Sequence, residues 1–173
     1  FGALTAGIAG STLASLVLLA LWLFLALRSW RLIAPILLTL LVGLTLTLGF
    51  ATLAIGTLNL ISVAFAVLFV GLAVDFAIQF TVRLRDQRLR QPELAAALKQ
   101  TAGVAGGQIV VAASAVACGF LAFAPTAFVG VAELGIIAGV GMLLALLCTL
   151  TLLPALLWLV RPRAQQHALA LPL

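Results

Sequence analysis

The sequence predicts an all-α fold, a polytopic membrane bundle of five transmembrane helices with one short cytoplasmic interfacial helix. Apolar residues fill 65% of its 173 positions and charged residues only 8%, a balance that a water-soluble domain of this length could not bury. Five apolar stretches are long enough to cross a bilayer, since a helix rises about 1.5 Å per residue and about 20 residues cover a hydrocarbon core of about 30 Å. The positive charges lie in short patches between those stretches.

The first span is expected at about 4–27 and stops at Arg28-Ser-Trp-Arg31. The second covers about 32–55, with Pro35 in its first turn, where a missing backbone donor is tolerated; Gly56-Thr-Leu-Asn59 then turns the chain. The third, about 60–82, runs into the Arg-rich stretch 83–90. Pro92 and Glu93 suit the start of a short interfacial helix at about 92–104, which carries Leu94, Ala97, Leu98 and Thr101 at helical spacing. The fourth span, about 107–124, is closed by Ala124-Pro125-Thr126, and the fifth, about 128–160, contains Pro154, which is expected to kink it. Residues 1–163 thus form one five-helix membrane domain, and 164–173, with His167, a cytoplasmic tail or linker. Phe1 in place of Met, without a signal-peptide pattern, is expected of an internal segment of a larger protein.

The nine basic residues are Arg28, Arg31, Arg83, Arg85, Arg88, Arg90, Lys99, Arg161 and Arg163. With the spans above, all of them fall on one side. The positive-inside rule makes that side the cytoplasm, so the segment starts outside and finishes inside. A formal charge of +5 could suggest nucleic acid, but charge confined to short patches between apolar runs is the pattern of membrane loops, and no nucleic-acid role is expected. Gly103-Val-Ala-Gly106-Gly107 lacks the Lys and Ser/Thr of a phosphate-binding loop. No nucleophile or metal-ligand cluster is seen, so the reading is of no enzyme, no metal and no cofactor. Cys118 and Cys148 lie in apolar runs without redox or metal spacing and read as small core residues.

Helices in lipid associate by close contact between small residues. Ala112, Ala115, Gly119 and Ala122 share one face of the fourth span, and Gly135 and Gly139 one face of the fifth; both stripes are expected to pack. Ser114, Thr149 and Thr151 are expected to bond back to their own helices.

The residue best placed for chemistry is Asp75, in Gly71-Leu-Ala-Val-Asp75-Phe-Ala-Ile-Gln79, two turns inside the cytoplasmic end of the third span. A carboxylate at bilayer depth costs on the order of 2.5 to 3.5 kcal/mol, and loss of water disfavours its charged form, so such a group suits proton binding. Gly71, Asp75 and Gln79 are spaced four apart and share a face. Gly71 would leave room for a neighbouring helix, and Gln79 could bond the carboxyl or a water beside it, a polar relay facing the bundle interior. The alternative is a structural Asp bonded to a hydroxyl on another helix. Glu133, near the outer end of the fifth span, reads either as an interfacial, helix-start residue or as part of a gate or substrate path.

The order of spans, Gly71-Leu-Ala-Val-Asp75-Phe76, the Arg-rich exit 83–90, the interfacial helix and Ala132-Glu133-Leu-Gly-Ile-Ile-Ala-Gly-Val-Gly141 together resemble the resistance-nodulation-division (RND) transporters over essentially the whole chain. The segment is similar to the second to sixth helices of the N-terminal half of such a protein, with the topology of a sterol-sensing domain. Val74-Asp75-Phe76-Ala-Ile-Gln79-Phe80-Thr-Val-Arg83 most resembles the hopanoid-associated transporters of the MmpL-like branch. The resemblance implies export of hopanoid or a similar apolar lipid from the bacterial inner membrane towards the outer membrane, driven by protons through Asp75. It also implies large periplasmic domains and a C-terminal transmembrane half elsewhere in the protein, and a homo-oligomer. Acriflavine-type drug pumps have two adjacent acids where this sequence has Asp75 and Phe76, so only Asp75 carries over. A sterol-sensing-like module that binds lipid and regulates a partner, and an RND protein serving drug efflux or protein export, are the competing readings.

Overall fold

The computed structural model describes residues 30–56, 60–91 and 93–160, together with helical positions Leu13, Ala14, Val17, Leu18 and Leu21. The rest of the predicted first span, residues 57–59 of the predicted turn, Pro92 and the tail 164–173 with His167 lie outside the described residues. Every regular element is helical: α1 (Trp30–Ala54), α2 (Leu60–Arg90), α3 (Leu94–Leu121) and α4 (Val129–Leu147), which passes through a π-helical turn (Cys148–Leu152) into α5 (Leu153–Val160). Three segments, Leu32–Ala54, Leu94–Leu121 and Val129–Val160, are long and apolar enough to cross a membrane.

Helix α1 begins at Trp30, so Pro35 stands inside the helix rather than in its first turn. Gly56, at φ +84°, stops it, because a residue without Cβ enters the left-handed region at no steric cost. Its buried threonines are satisfied within the helix: Thr39 Oγ1 donates to the Pro35 carbonyl and Thr47 Oγ1 to the Gly43 carbonyl, each at 2.8 Å. Helix α2 continues past the predicted boundary at 82 to Arg90. No Gly or Pro interrupts 83–90, and the position before Pro92 disfavours helical backbone.

The predicted interfacial helix and fourth span are one continuous helix of 28 residues. Gly103, Gly106 and Gly107 stay helical, since breaking the helix beside lipid would leave backbone N–H and C=O groups unpaired. The same face also carries on through the expected break: Ala97, Thr101, Ala105, Ile109, Ala113 and Ala117 are all buried.

The chain stays helical through Pro154. The helix widens just before it into the π turn, where the Leu153 N–H reaches the Cys148 carbonyl. Proline brings no N–H of its own and its ring crowds the preceding turn, which a locally wider helix relieves. Thr151 Oγ1 bonds back to the Leu147 carbonyl at 2.6 Å in the same stretch.

Helix α4 packs against α3, α2 and α1. A Cβ placed on Gly135 would lie 2.6 Å from the Phe120 carbonyl oxygen, and one on Gly139 2.5 Å from Leu121 Cγ, so these two glycines are where α4 presses on α3. On another side, a Cβ on Gly141 would lie 2.8 Å from both Phe65 Cζ and Thr47 Cγ2, which seats α4 against α2 and α1. The stripe expected on α3 does not meet the other described helices: Ala115, Gly119 and Ala122 are exposed, nothing described lies within 4 Å of a Cβ at Gly119, and the buried small residues include Ala105, Ala113 and Ala117. Cys118 is exposed too, whereas Cys148 is buried.

Gly135→Ala in the full-length protein is therefore expected to lower stability by about 1–3 kcal/mol, the usual cost of overpacking. Gly139→Ala should cost less, because its nearest obstacle is a flexible leucine side chain rather than backbone, and Gly119→Ala should leave stability unchanged. Thermal unfolding in detergent, followed by size-exclusion profile, ranks the three.

Candidate functional site

Helix α2 has two dissimilar sides. Phe65, Phe69, Ala73, Phe76, Ala77, Phe80 and Leu84 are buried against the other helices, with Phe65 and Phe69 in edge-on contact at 5.5 Å between ring centroids. The other side carries Leu68, Gly71, Asp75, Gln79, Val82, Arg83 and Asp86, all exposed. Gln79 Nε2 donates to Asp75 Oδ2 at 2.8 Å, the contact expected of residues four apart on a helix.

The pair is formed, but the face it occupies differs from the sequence expectation. Asp75, Gln79 and Gly71 point away from this bundle, not into it, and no described residue lies within 4 Å of a Cβ at Gly71. The phenylalanines account for this. They need the wide gap that Gly141 leaves for Phe65, and once they fill the inward side the polar residues are left on the other. Asp75 precedes Arg83 by eight residues, about 12 Å along the axis.

Behind the pair, across α2, lies a void of about 10 Å³ lined by Thr39, Gly43, Phe69, Ala73, Ala77 and Thr149, among others. It has room for about one water molecule. It sits where α1, α2 and the π turn meet.

Glu133 is half-buried, the fifth residue of α4, and does not join Asp75. Phe65 and Gly141 touch, so they mark one level. Glu133 lies eight residues to one side of that level and Asp75 ten residues to the other, a separation of about 27 Å along the bundle. Gly119, Gly135 and Gly139 lie apart from the pair, on α3 and α4. The sequence reading missed Gly141 as a seat for α2, although the Gly139-Val-Gly141 repeat signals a helix with small residues on two sides. It also left Arg83 at a loop entrance, although the four-residue spacing of Gly71, Asp75 and Gln79 extends to it.

Over 172 residues, 99% of this chain, the sequence is 48% identical to the hopanoid transporter HpnN of Burkholderia multivorans (strain ATCC 17616 / 249). It is 44% identical over 153 residues, 88% of the chain, to the hopanoid transporter HpnN of Rhodopseudomonas palustris (strain TIE-1), and 33% identical over 92 residues, 53% of the chain, to the putative membrane protein SCO0839 of Streptomyces coelicolor (strain ATCC BAA-471 / A3(2) / M145). The chain spans only 20%, 17% and 13% of the lengths of these relatives. The MMPL family profile matches residues 3–169, a range that holds every described helix and the Asp75–Gln79 pair, and the chain belongs to the MMPL family.

Proposed function

We propose that this chain is part of the transmembrane portion of an RND-type transporter, driven by the proton gradient, that moves hopanoid or a similar apolar lipid from the bacterial inner membrane towards the outer membrane. The observation that carries the reading is the Asp75–Gln79 hydrogen bond on the outward face of α2, two turns before its Arg-rich end. Membership of the MMPL family and two relatives named as hopanoid transporters support the cargo class.

Protonated Asp75 tolerates close apolar contact, whereas charged Asp75 demands water or a cation beside it. Each protonation state therefore favours a different packing of α2 against whatever covers its outward face, and cycling between them exchanges two packings of similar energy. The covering surface is the C-terminal transmembrane half of the same protein, and the motion is passed to periplasmic domains. Five spans place the start of the segment in the periplasm and the Arg-rich side in the cytoplasm, and the whole protein assembles as a homo-oligomer. Gly71 gives the covering helix its closest approach. Glu133, far from the proton site, gates the path of the lipid at the outer leaflet.

Cells whose only full-length copy carries Asp75→Asn, expressed at the normal level, are expected to hold hopanoids in the inner membrane and to deplete them from the outer. A wild-type distribution between the separated membranes would overturn the proton-driven reading and favour a lipid-sensing module. Glu133→Gln is expected to slow delivery several-fold without uncoupling proton flux from lipid movement, measured by pairing the same fractionation with a pH-sensitive dye in reconstituted vesicles.

A further inference from the structure

The polar stripe of α2 reaches beyond the pair at its centre. Asp75, Gln79 and Arg83 follow at four-residue intervals, all exposed on one face of an unbroken helix. Their chemistry is ordered along it. A carboxylate only accepts hydrogen bonds, a guanidinium only donates them, and a primary amide donates from one corner and accepts at the other. Gln79 spends its Nε2 on Asp75, which directs Oε1 elsewhere. Arg83 stands one turn further, about 6 Å along the axis, and side chains on a helix lean towards its N-terminus. For Arg83 that is the direction of Gln79.

We propose that Arg83 is a positioning residue for the proton step: its guanidinium closes on the Gln79 amide oxygen when Asp75 is charged and releases it when Asp75 is protonated. The proposal rests on the reading of Asp75 as the proton-carrying group. The proton leaves Asp75 for water on the Arg-rich side, and Arg83 keeps its own proton throughout, since a guanidinium stays charged at any physiological pH. Its part is to polarise the amide and so to hold the carboxylate left behind. An amide at position 79 fits both neighbours: leucine would break the ladder, and glutamate would set a second negative charge one turn from Asp75.

Asp86, exposed on α2 three residues beyond Arg83, is the nearest other carboxylate in the sequence, but the lean of helical side chains towards the N-terminus carries the guanidinium to Gln79 and away from Asp86. On the other elements, Arg31 of α1 and Lys99 of α3 stand at the same Arg-rich end as Arg83, where they add positive charge but no acceptor, and Glu133 on α4 lies near the opposite end. Cys148 is buried in the core beside Gly43, and Cys118 is on the exposed side of α3. Residues 1–27 contain no charged side chain.

The test uses the full-length protein in vesicles whose bilayer contains hopanoid and whose lumen holds a pH-sensitive dye, with proton flux followed as pH on the Arg-rich side is varied. Arg83→Gln is expected to slow flux several-fold near neutral pH and to move the pH midpoint up by about one unit, because proton release then needs a more alkaline acceptor side. Arg83→Lys should restore most of both. With Gln79→Leu already present, Arg83→Gln should add no further shift. An unmoved midpoint in Arg83→Gln, or shifts that add in the double variant, would overturn the role of Arg83. Asp75→Asn run alongside separates the two ideas: wild-type flux in that variant overturns proton coupling at Asp75, whereas lost flux with an unshifted Arg83→Gln overturns only the ladder. If Arg83→Gln does not fold, Gln79→Leu decides, since a wild-type midpoint there removes the bridge the proposal needs.

Discussion

Lipid tails offer apolar side chains the same contact that another helix does, so helices in a bilayer are held together by how closely and completely they fit. In this chain the fit is made on α4. Gly135 and Gly139 let it meet α3 backbone to backbone, and Gly141 takes the ring of Phe65 against a different side. That second contact fixes more than a distance. By admitting one large ring it sets the rotation of α2 about its axis, and the remaining phenylalanines of α2 follow onto the inward side. The direction in which Asp75 points is a consequence of where a glycine sits on another helix.

Three buried hydroxyls are satisfied within their own helices. Thr39, Thr47 and Thr101 are buried, and each gives its hydroxyl proton to a carbonyl one turn back on its own helix, so none needs a partner across an interface. Asp75 and Gln79 also meet within one helix, but a carboxylate keeps further acceptor capacity after one bond. These three hydroxyls are closed; Thr81, wholly buried on α2, keeps a hydroxyl without a hydrogen-bond partner, and the outward pair is open.

Much of this was legible in the sequence. Apolar run lengths gave helices close to the observed bounds of α1 and of the rod from Val129 to Val160, and the four-residue spacing gave the Asp75–Gln79 contact. What was not legible depends on rotation. Nothing in the spacing of Gly71, Asp75 and Gln79 says which way their shared face turns, because that is decided by Gly141 and Phe65, far apart in the chain. The same holds for α3, where two small-residue stripes lie side by side and contact with α4 and α2 selects the one through Ala105, Ala113 and Ala117. The continuity of α3 escaped notice because three glycines read as a boundary in water and not in lipid, where the cost of breaking backbone hydrogen bonds outweighs the preference of glycine for turns.

The unbroken run of α2 from Leu60 to Arg90 also makes it a lever. Measured from Phe69, which is wholly buried and meets Gly43 of α1, Asp75 lies six residues along the same arm that ends at Arg90. Arg90 lies 21 residues beyond Phe69, about 32 Å, so a tilt of about 5° about that ring displaces the arginine end by about 3 Å while Asp75 moves by less than about 1 Å. A small accommodation around one carboxylate is thereby magnified at the junction with α3, with no hinge required between them.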